Sequence, residues 1–310
     1  MHLYSDRRTA AAFVASFLLI LAIISIVLAG IDAPEGEPGT ETDRLRLITH
    51  NVWYGFTRAP ERKAAWVEWM RNRRPDVVAL QELNEYTQER LAADAKRWGH
   101  THSVLLKREG FPTAITSRYP ISEVRRTLEG FHHGLLRARI RGIYFYVIHL
   151  HPGDWKTRYR EAGRILRDIE KLPADAPVVL AGDFNALSPL DSAHYAGTRL
   201  ESFFRRRDTD PDLNEHNLHE NRLDYSVINR FLDAGFTDLT YAYRPEEYPF
   251  KGSFPTSVEK EGDHGDKRRL DYIFVNETLT ERITHATVVS NDTTRYLSDH
   301  LPIVVDFRFE

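Results

Sequence analysis

The sequence predicts a single mixed α/β domain with two β-sheets at its core, preceded by an apolar segment and a linker. Three observations carry this. Short apolar runs alternate with helix-period patterns from residue 45 to the end. No internal repeat and no break in composition follows residue 43. Polar side chains recur where the apolar runs stop. Strand-like and helix-like patterns interleaved along one chain favour layers of helix and sheet on a shared core.

Taken in order, "LRLITHNV" (45–52) alternates like a strand. Pro60 suits the first position of a helix whose apolar face is Trp66, Val67, Trp69 and Met70. "DVVAL" (76–80) reads as a buried strand, and 85–98 as a helix. Strand-like runs follow at 102–106, 112–117, 134–140 and 143–149. In 154–172, Trp155, Tyr159, Ala162, Leu166 and Ile169 share one helical face. "PVVLAG" (177–182) is another buried strand. The amphipathic helix 223–235 ends at Gly235, a suitable C-cap. "LDYIFV" (270–275) and "LPIVVDF" (301–307) are the last strands, and the polar stretch 186–222 reads as a surface insertion.

The N-terminus departs from this composition. Residues 10–30, "AAAFVASFLLILAIISIVLAG", carry no charge over a length that spans a bilayer. Arg7 and Arg8 precede the run, and Asp32, Glu35 and Glu37 follow it. The positive-inside bias then leaves the bulk of the chain outside the cytoplasm. Residues 1–31 are thus expected to be a membrane anchor, or a signal segment if cleaved near Ala29 or Ala33. Residues 32–43, "DAPEGEPGTETD", form a flexible linker to a domain at 44–310.

With no cysteine, disulfides, thiolate chemistry and cysteine-ligated zinc are excluded. Net charge is -3, and residues 1–40 hold two basic and four acidic residues, which leaves the outer domain almost neutral. No overall basic field announces a nucleic-acid partner.

The polar interruptions form a pattern. Asn51 ends the first strand, Gln81-Glu82 the second, His149 the strand at 143–149, and Asp183-Phe184-Asn185 the strand at 177–182. Asp271 and Asp299-His300 instead stand at the start of their strands. If the last two strands run antiparallel to the others, all six clusters meet on one edge. Crowded carboxylates persist together only when a cation offsets them. Oxygen-dominated donors suit Mg²⁺ or Mn²⁺, and spare imidazoles and amides suit a phosphate oxyanion.

The motifs "THNVW" (49–53), "VALQEL" (78–83), "FPTAITSRYPI" (111–121), "VIHLH" (147–151), "AGDFNALSP" (181–189), "RRLDYIFV" (268–275) and "SDHLPIVVDF" (298–307) resemble, in order, those of the endonuclease/exonuclease/phosphatase superfamily. The resemblance covers 44–310. It implies a four-layer α/β sandwich with two packed mixed sheets and a divalent-metal-dependent phosphoesterase site at one edge. It further implies that Glu82 is the main metal ligand, supported by Asn51 and Asp299. Asp183 would deprotonate the attacking water and Asn185 orient it. His149 and His300 would contact the scissile phosphate, with Asp271 fixing the ring of His300. Within the family the general base is assigned either to the position of Asp183 or to that of His300; Asp183 is preferred here.

Gln81 reads as strand-end structure, and Ser117 and Arg118 as architecture. His132 and His133 read as solvated loop residues, with substrate contact the alternative. His194, His216 and His219 lie in the stretch 186–222, a surface insertion whose alternative is a substrate-facing loop. Trp53 and Tyr54 stand where some nuclease relatives carry an acidic residue, which speaks against a second metal ligand there. Three functions compete: hydrolysis of a small or membrane-borne phosphate ester, extracytoplasmic nuclease action on DNA or RNA, and a catalytically inactive membrane-tethered binding module. The first is preferred, and oligomeric state is left open.

Overall fold

A computed structural model describes residues 43–244, 250–258 and 260–309. The expected anchor at 10–30, and the linker up to residue 42, lie outside the described residues. No helix among the described residues is long and apolar enough to cross a membrane.

Strands β1 (Arg44–Asn51), β2 (Val77–Gln81), β3 (His102–Leu105) and β4 (Ala114–Ser117) belong to a first sheet. Strands β5 (Ser122–Thr127), β6 (Leu135–Ile140), β7 (Ile143–His149) and β8 (Val178–Asp183) belong to a second. The short β9 (Leu218–His219) and β10 (Arg222–Leu223) pair with each other. Strands β11 (Thr237–Asp238) and β12 (Asp271–Val275) return to the second sheet, and β13 (Ile283–Val288) and β14 (Ile303–Arg308) to the first. The strand orders are β13-β14-β1-β2-β4-β3 and β11-β12-β8-β7-β6-β5.

The period-2 alternation of the strands sorts their side chains into layers. Leu45, Leu47, Val77, Ala79, Phe145, Val147, Val179, Ala181, Ile273 and Val305 meet between the two sheets. The opposite face of the first sheet packs Ile48, Val78 and Leu80 against Trp66, Met70, Leu91 and Ala95 of helices Arg62–Arg73 and Gln88–Arg97. The outer face of the second sheet packs Tyr146, Ile148 and Leu180 against Ala162, Ile165, Val227 and Phe231 of helices Trp155–Ile169 and Ser226–Asp233. Helix, sheet, sheet and helix are the four layers of an α/β sandwich.

Strand direction is what assembles the site. β1 runs parallel to β2 and antiparallel to β14. β8 runs parallel to β7 and antiparallel to β12. The ends of β1, β2, β7 and β8 therefore share an edge with the starts of β12 and β14, as the polar interruptions require. In register, Asp183 lies beside His149 on one side and Asp271 on the other.

Three elements escape the sequence pattern. β5, "SEVRRT", is almost wholly exposed and so lacks an apolar run. β13 pairs only with β14 among the described residues, and its register shifts at Ile283/His285. Within 186–222, expected as a surface insertion, Leu200–Thr209 is a helix that buries Leu200 and Phe203 under an arginine-rich surface.

Candidate active site

Backbone geometry at the strand exits aims the functional side chains. Trp53 (φ 51°), Tyr54 (φ 55°), Glu82 (φ 59°) and Asn185 (φ 48°) all adopt left-handed backbone. Such conformations cost about 1–3 kcal/mol each for most residues and collect at functional sites, Asn tolerating them best. Gly182, one residue before Asp183, has φ +145°, and a Cβ there would lie 2.0 Å from Ile148 O. Only glycine lets β7 and β8 approach so closely at the catalytic end.

The eight predicted side chains come together in two linked groups. In the first, Asn51 Nδ2 donates to Glu82 Oε1 and to Asp183 Oδ2, both at 3.0 Å. Its oxygen accepts from Trp53 N at 3.1 Å, so the amide nitrogen, not the oxygen, faces the carboxylates. Tyr54 N donates to Glu82 Oε2 at 3.0 Å. Asn185 N donates to Asp183 Oδ1 at 2.9 Å, and Asn185 Nδ2 donates to Leu150 O at 3.1 Å. His149 Nε2 lies 3.9 Å from Asp183 Oδ2 and 4.0 Å from Glu82 Oε1.

The second group is a dyad. His300 Nδ1 lies 2.7 Å from Asp271 Oδ2, while His300 Nε2 faces Asp183 Oδ2 at 3.8 Å. Ser298 Oγ donates to Asn51 O at 2.7 Å and accepts from His300 N at 3.3 Å, tying the last loop to the end of β1. Asp299 pairs with the Lys260 ammonium.

Electrostatics separates the two imidazoles. Burial alone would lower His300, but the carboxylates of Asp271 and Asp183 outweigh it and raise the group to about 10. His300 is therefore cationic at neutral pH. Burial, with His300 and His132 nearby, lowers His149 to about 3, so that ring is neutral. Burial raises Asp183 to about 7, against the charge of His300 and with the help of Asp271. Glu82 is raised by burial and then by the charge of Asp299. The two carboxylates thus feel each other across the edge.

The model of the Endonuclease/Exonuclease/phosphatase family matches residues 48–300. The chain belongs to this family. It is accordingly a divalent-metal-dependent hydrolase of phosphoric ester bonds. No curated protein sequence matches the chain. Solved structures do, and they share the fold. An AP endonuclease from Archaeoglobus fulgidus superposes with TM-score 0.62 at 21% identity, over 85% of this chain and 99% of its own. The 3'-5' exonuclease NExo from Neisseria meningitidis gives 0.60 at 21%, over 85% and 99%. D. rerio TDP2 complexed with a single-strand DNA product gives 0.59 at 20%, over 85% and 98%.

The donor set of this family member suits a hard divalent cation. Buried Asp271 Oδ1 has no hydrogen-bond partner among the described residues. Glu82 and Asp183, raised mainly by burial, are each raised further by a neighbouring carboxylate, Asp299 and Asp271, whose charge a cation would offset. Two placements are available. Glu82 and Asp299 supply carboxylates on the first-sheet side. Asp183, Asp271 and His300 offer ligand atoms within 4.8 Å of one another, although His300 Nδ1 is already engaged by Asp271.

Several contributors had no sequence signal. Tyr54 acts through its backbone N–H, and Lys260 comes from an irregular segment. His133, read from sequence as a solvated loop residue, is buried and stacks on His149, with ring centroids 3.9 Å apart. Phe111 meets both rings edge-on and so walls the His149 side. His132 is exposed, as read from sequence, and contacts the ring of His151. His194 and His219 likewise stack, on Phe250 and Trp155. Gln81 and Ser117 are structural as expected: Gln81 donates to Thr49 Oγ1, and Ser117 Oγ accepts from Tyr119 N.

Proposed function

We propose that this chain hydrolyses a phosphodiester or phosphomonoester by direct in-line attack of a water held by Asp183. The observation that carries the reading is the pairing of a carboxylate raised to about 7 with an imidazolium 3.8 Å away. A general base works best when its pKa lies near the operating pH. His300, already protonated, has no lone pair free to take a proton. Asp183 is therefore the base, and His300 donates through Nε2 to the phosphoryl oxygens as their charge grows. His149 adds a neutral donor and Asn51 holds the two carboxylates apart. These donors are fixed before the substrate arrives, so stabilising the transition state requires little reorganisation. A divalent cation held by Glu82 and Asp299, which we take to be Mg²⁺ or Mn²⁺, would polarise a phosphoryl oxygen and offset its charge. Chelator should abolish turnover of bis(4-nitrophenyl) phosphate and either ion restore it; full turnover after chelation would refute the reading.

The preferred substrate is small or membrane-borne. The domain from residue 41 onward is nearly neutral, and the arginines of 205–207 are engaged by Glu201, Asp263 and Glu215, which leaves little for a polyanion. Nuclease action is the second reading, favoured by relatives solved with DNA. Turnover of single- and double-stranded DNA, RNA, sphingomyelin, inositol phosphates and nucleotides, side by side, separates them. We further propose that residues 10–30 anchor the enzyme with its domain extracytoplasmic, on the uncharged run and the preceding Arg7 and Arg8. Protease added to intact cells should then digest the domain; full protection would exclude this topology.

A further inference from the structure

Arg268 is buried to within 7% exposure, yet no carboxylate pairs with it among the described residues. Its neighbour Arg269 shows the contrast: that guanidinium is clamped between Asp191 and Asp238. Arg268 instead caps the carbonyls of His264 and Asp266 through Nη1, at 2.7 and 3.1 Å, and its Nε is sealed without a partner. Asp183 and Asp263 act on its charge without pairing with it, and a buried cation lacking a direct partner is costly and persists where something else compensates it.

The surroundings say where that compensation would come from. The guanidinium lies 4.6 Å from the centre of the Phe254 ring, 5.4 Å from Phe204 and 5.5 Å from Phe203. The Lys260 ammonium lies 5.2 Å from the same Phe254 ring. Phe254 in turn packs its ring 4.8 Å from that of His300. Backbone bonds hold the arrangement, with Phe254 N donating to Arg268 O and Arg268 N to Phe254 O. Ser253 Oγ accepts from Leu270 N and Asp271 N, locking the same segment to the dyad. Two cations thus share one aromatic ring, and that ring packs against the imidazole of His300.

We propose that Arg268 and Lys260, bridged by Phe254, form a second anion subsite beside His300, so that the preferred substrate carries another phosphate next to the one hydrolysed. This rests on the phosphoesterase reading above and narrows its substrate class. Lys260, which pairs with Asp299, is released to that phosphate when Asp299 turns to the divalent cation, and Arg268 is the fixed cation of the pair. The second phosphate can belong to a nucleotide chain or to a small bisphosphate ester.

The test uses the full chain with Mg²⁺ or Mn²⁺ and two matched substrate pairs. One pair is thymidine 3'-(4-nitrophenyl phosphate) with and without a 5'-phosphate. The other is 2-hydroxyethyl 4-nitrophenyl phosphate with and without a phosphate on its hydroxyl. The wild-type enzyme should prefer the doubly phosphorylated member about tenfold in kcat/KM, the worth of one charged hydrogen bond. Preference in both pairs assigns the subsite to phosphate alone, and preference in the nucleoside pair alone assigns it to a nucleotide phosphate. Arg268→Met should erase the preference through KM, and Arg268→Lys should retain part of it. Turnover of all four esters without preference would overturn the subsite alone, whether or not the variants fold. Absence of turnover on every ester would remove the underlying reading together with it.

Discussion

His300 Nδ1 and Asp271 Oδ2 stand 2.7 Å apart inside the edge where the two sheets meet, and Asp183 faces the other ring nitrogen. The carboxylate of Asp271 fixes the ring and keeps it charged. Asp271→Asn should therefore lower kcat by about 10²-fold. It should also move the alkaline limb of the pH–rate profile down from near 10, where His300 titrates. An unchanged limb would show that His300 acts without its partner.

Asn51 is the spacer between Glu82 and Asp183, donating to both. Asn51→Ala leaves the two carboxylates facing each other without a donor. Turnover should drop by roughly tenfold or more, with half-saturation shifted along the metal titration. Glu82→Gln should weaken binding of Mn²⁺ itself, read by titration calorimetry. A Glu82→Gln protein that binds Mn²⁺ as the wild type does would move the cation to the Asp183–Asp271–His300 side.

Gly182 is the tightest backbone position of the site, with 2.0 Å between a notional Cβ and Ile148 O. Gly182→Ala should cost about 3 kcal/mol or more, since neither β7 nor β8 can shift without moving His149 or Asp183. The denaturation midpoint reads this directly, and a midpoint within error of the wild type would refute the packing argument.

His100 is buried away from the site, between Thr116 Oγ1 and Pro75 O at 2.8 Å each, and burial lowers it to about 4. Unfolded, it takes a proton near 6.5; folded, it resists until about 4. Between those values the unfolded chain binds the extra proton, so stability falls as pH drops through the window and levels off below it. The contribution is at most about 3 kcal/mol. Unfolding free energy measured from pH 7 to 4.5 should decline, and less steeply in His100→Gln.

Asn51, Glu82, Asp183, Asp271, Asp299 and His300 were legible because each interrupts an apolar run, and strand direction alone brings such interruptions to one edge. Lys260, Phe254 and Phe111 were not, because irregular loops carry no periodic signal. His133 was misread for a similar reason: its burial comes from stacking on His149, a contact between residues of different segments. β5 and β13 lacked the continuous apolar run by which buried strands are recognised, and the charges of 205–207 hid the short apolar face of their helix.

The central claim is that Asp183 takes the proton of the attacking water. Its most direct test is single-turnover hydrolysis of bis(4-nitrophenyl) phosphate by Asp183→Asn, beside a Mn²⁺ titration of the same protein. Metal binding within a few-fold of the wild type, with hydrolysis slowed by about 10³-fold, is the predicted result. Hydrolysis at a tenth of the wild-type rate or faster, with metal still bound, would contradict it.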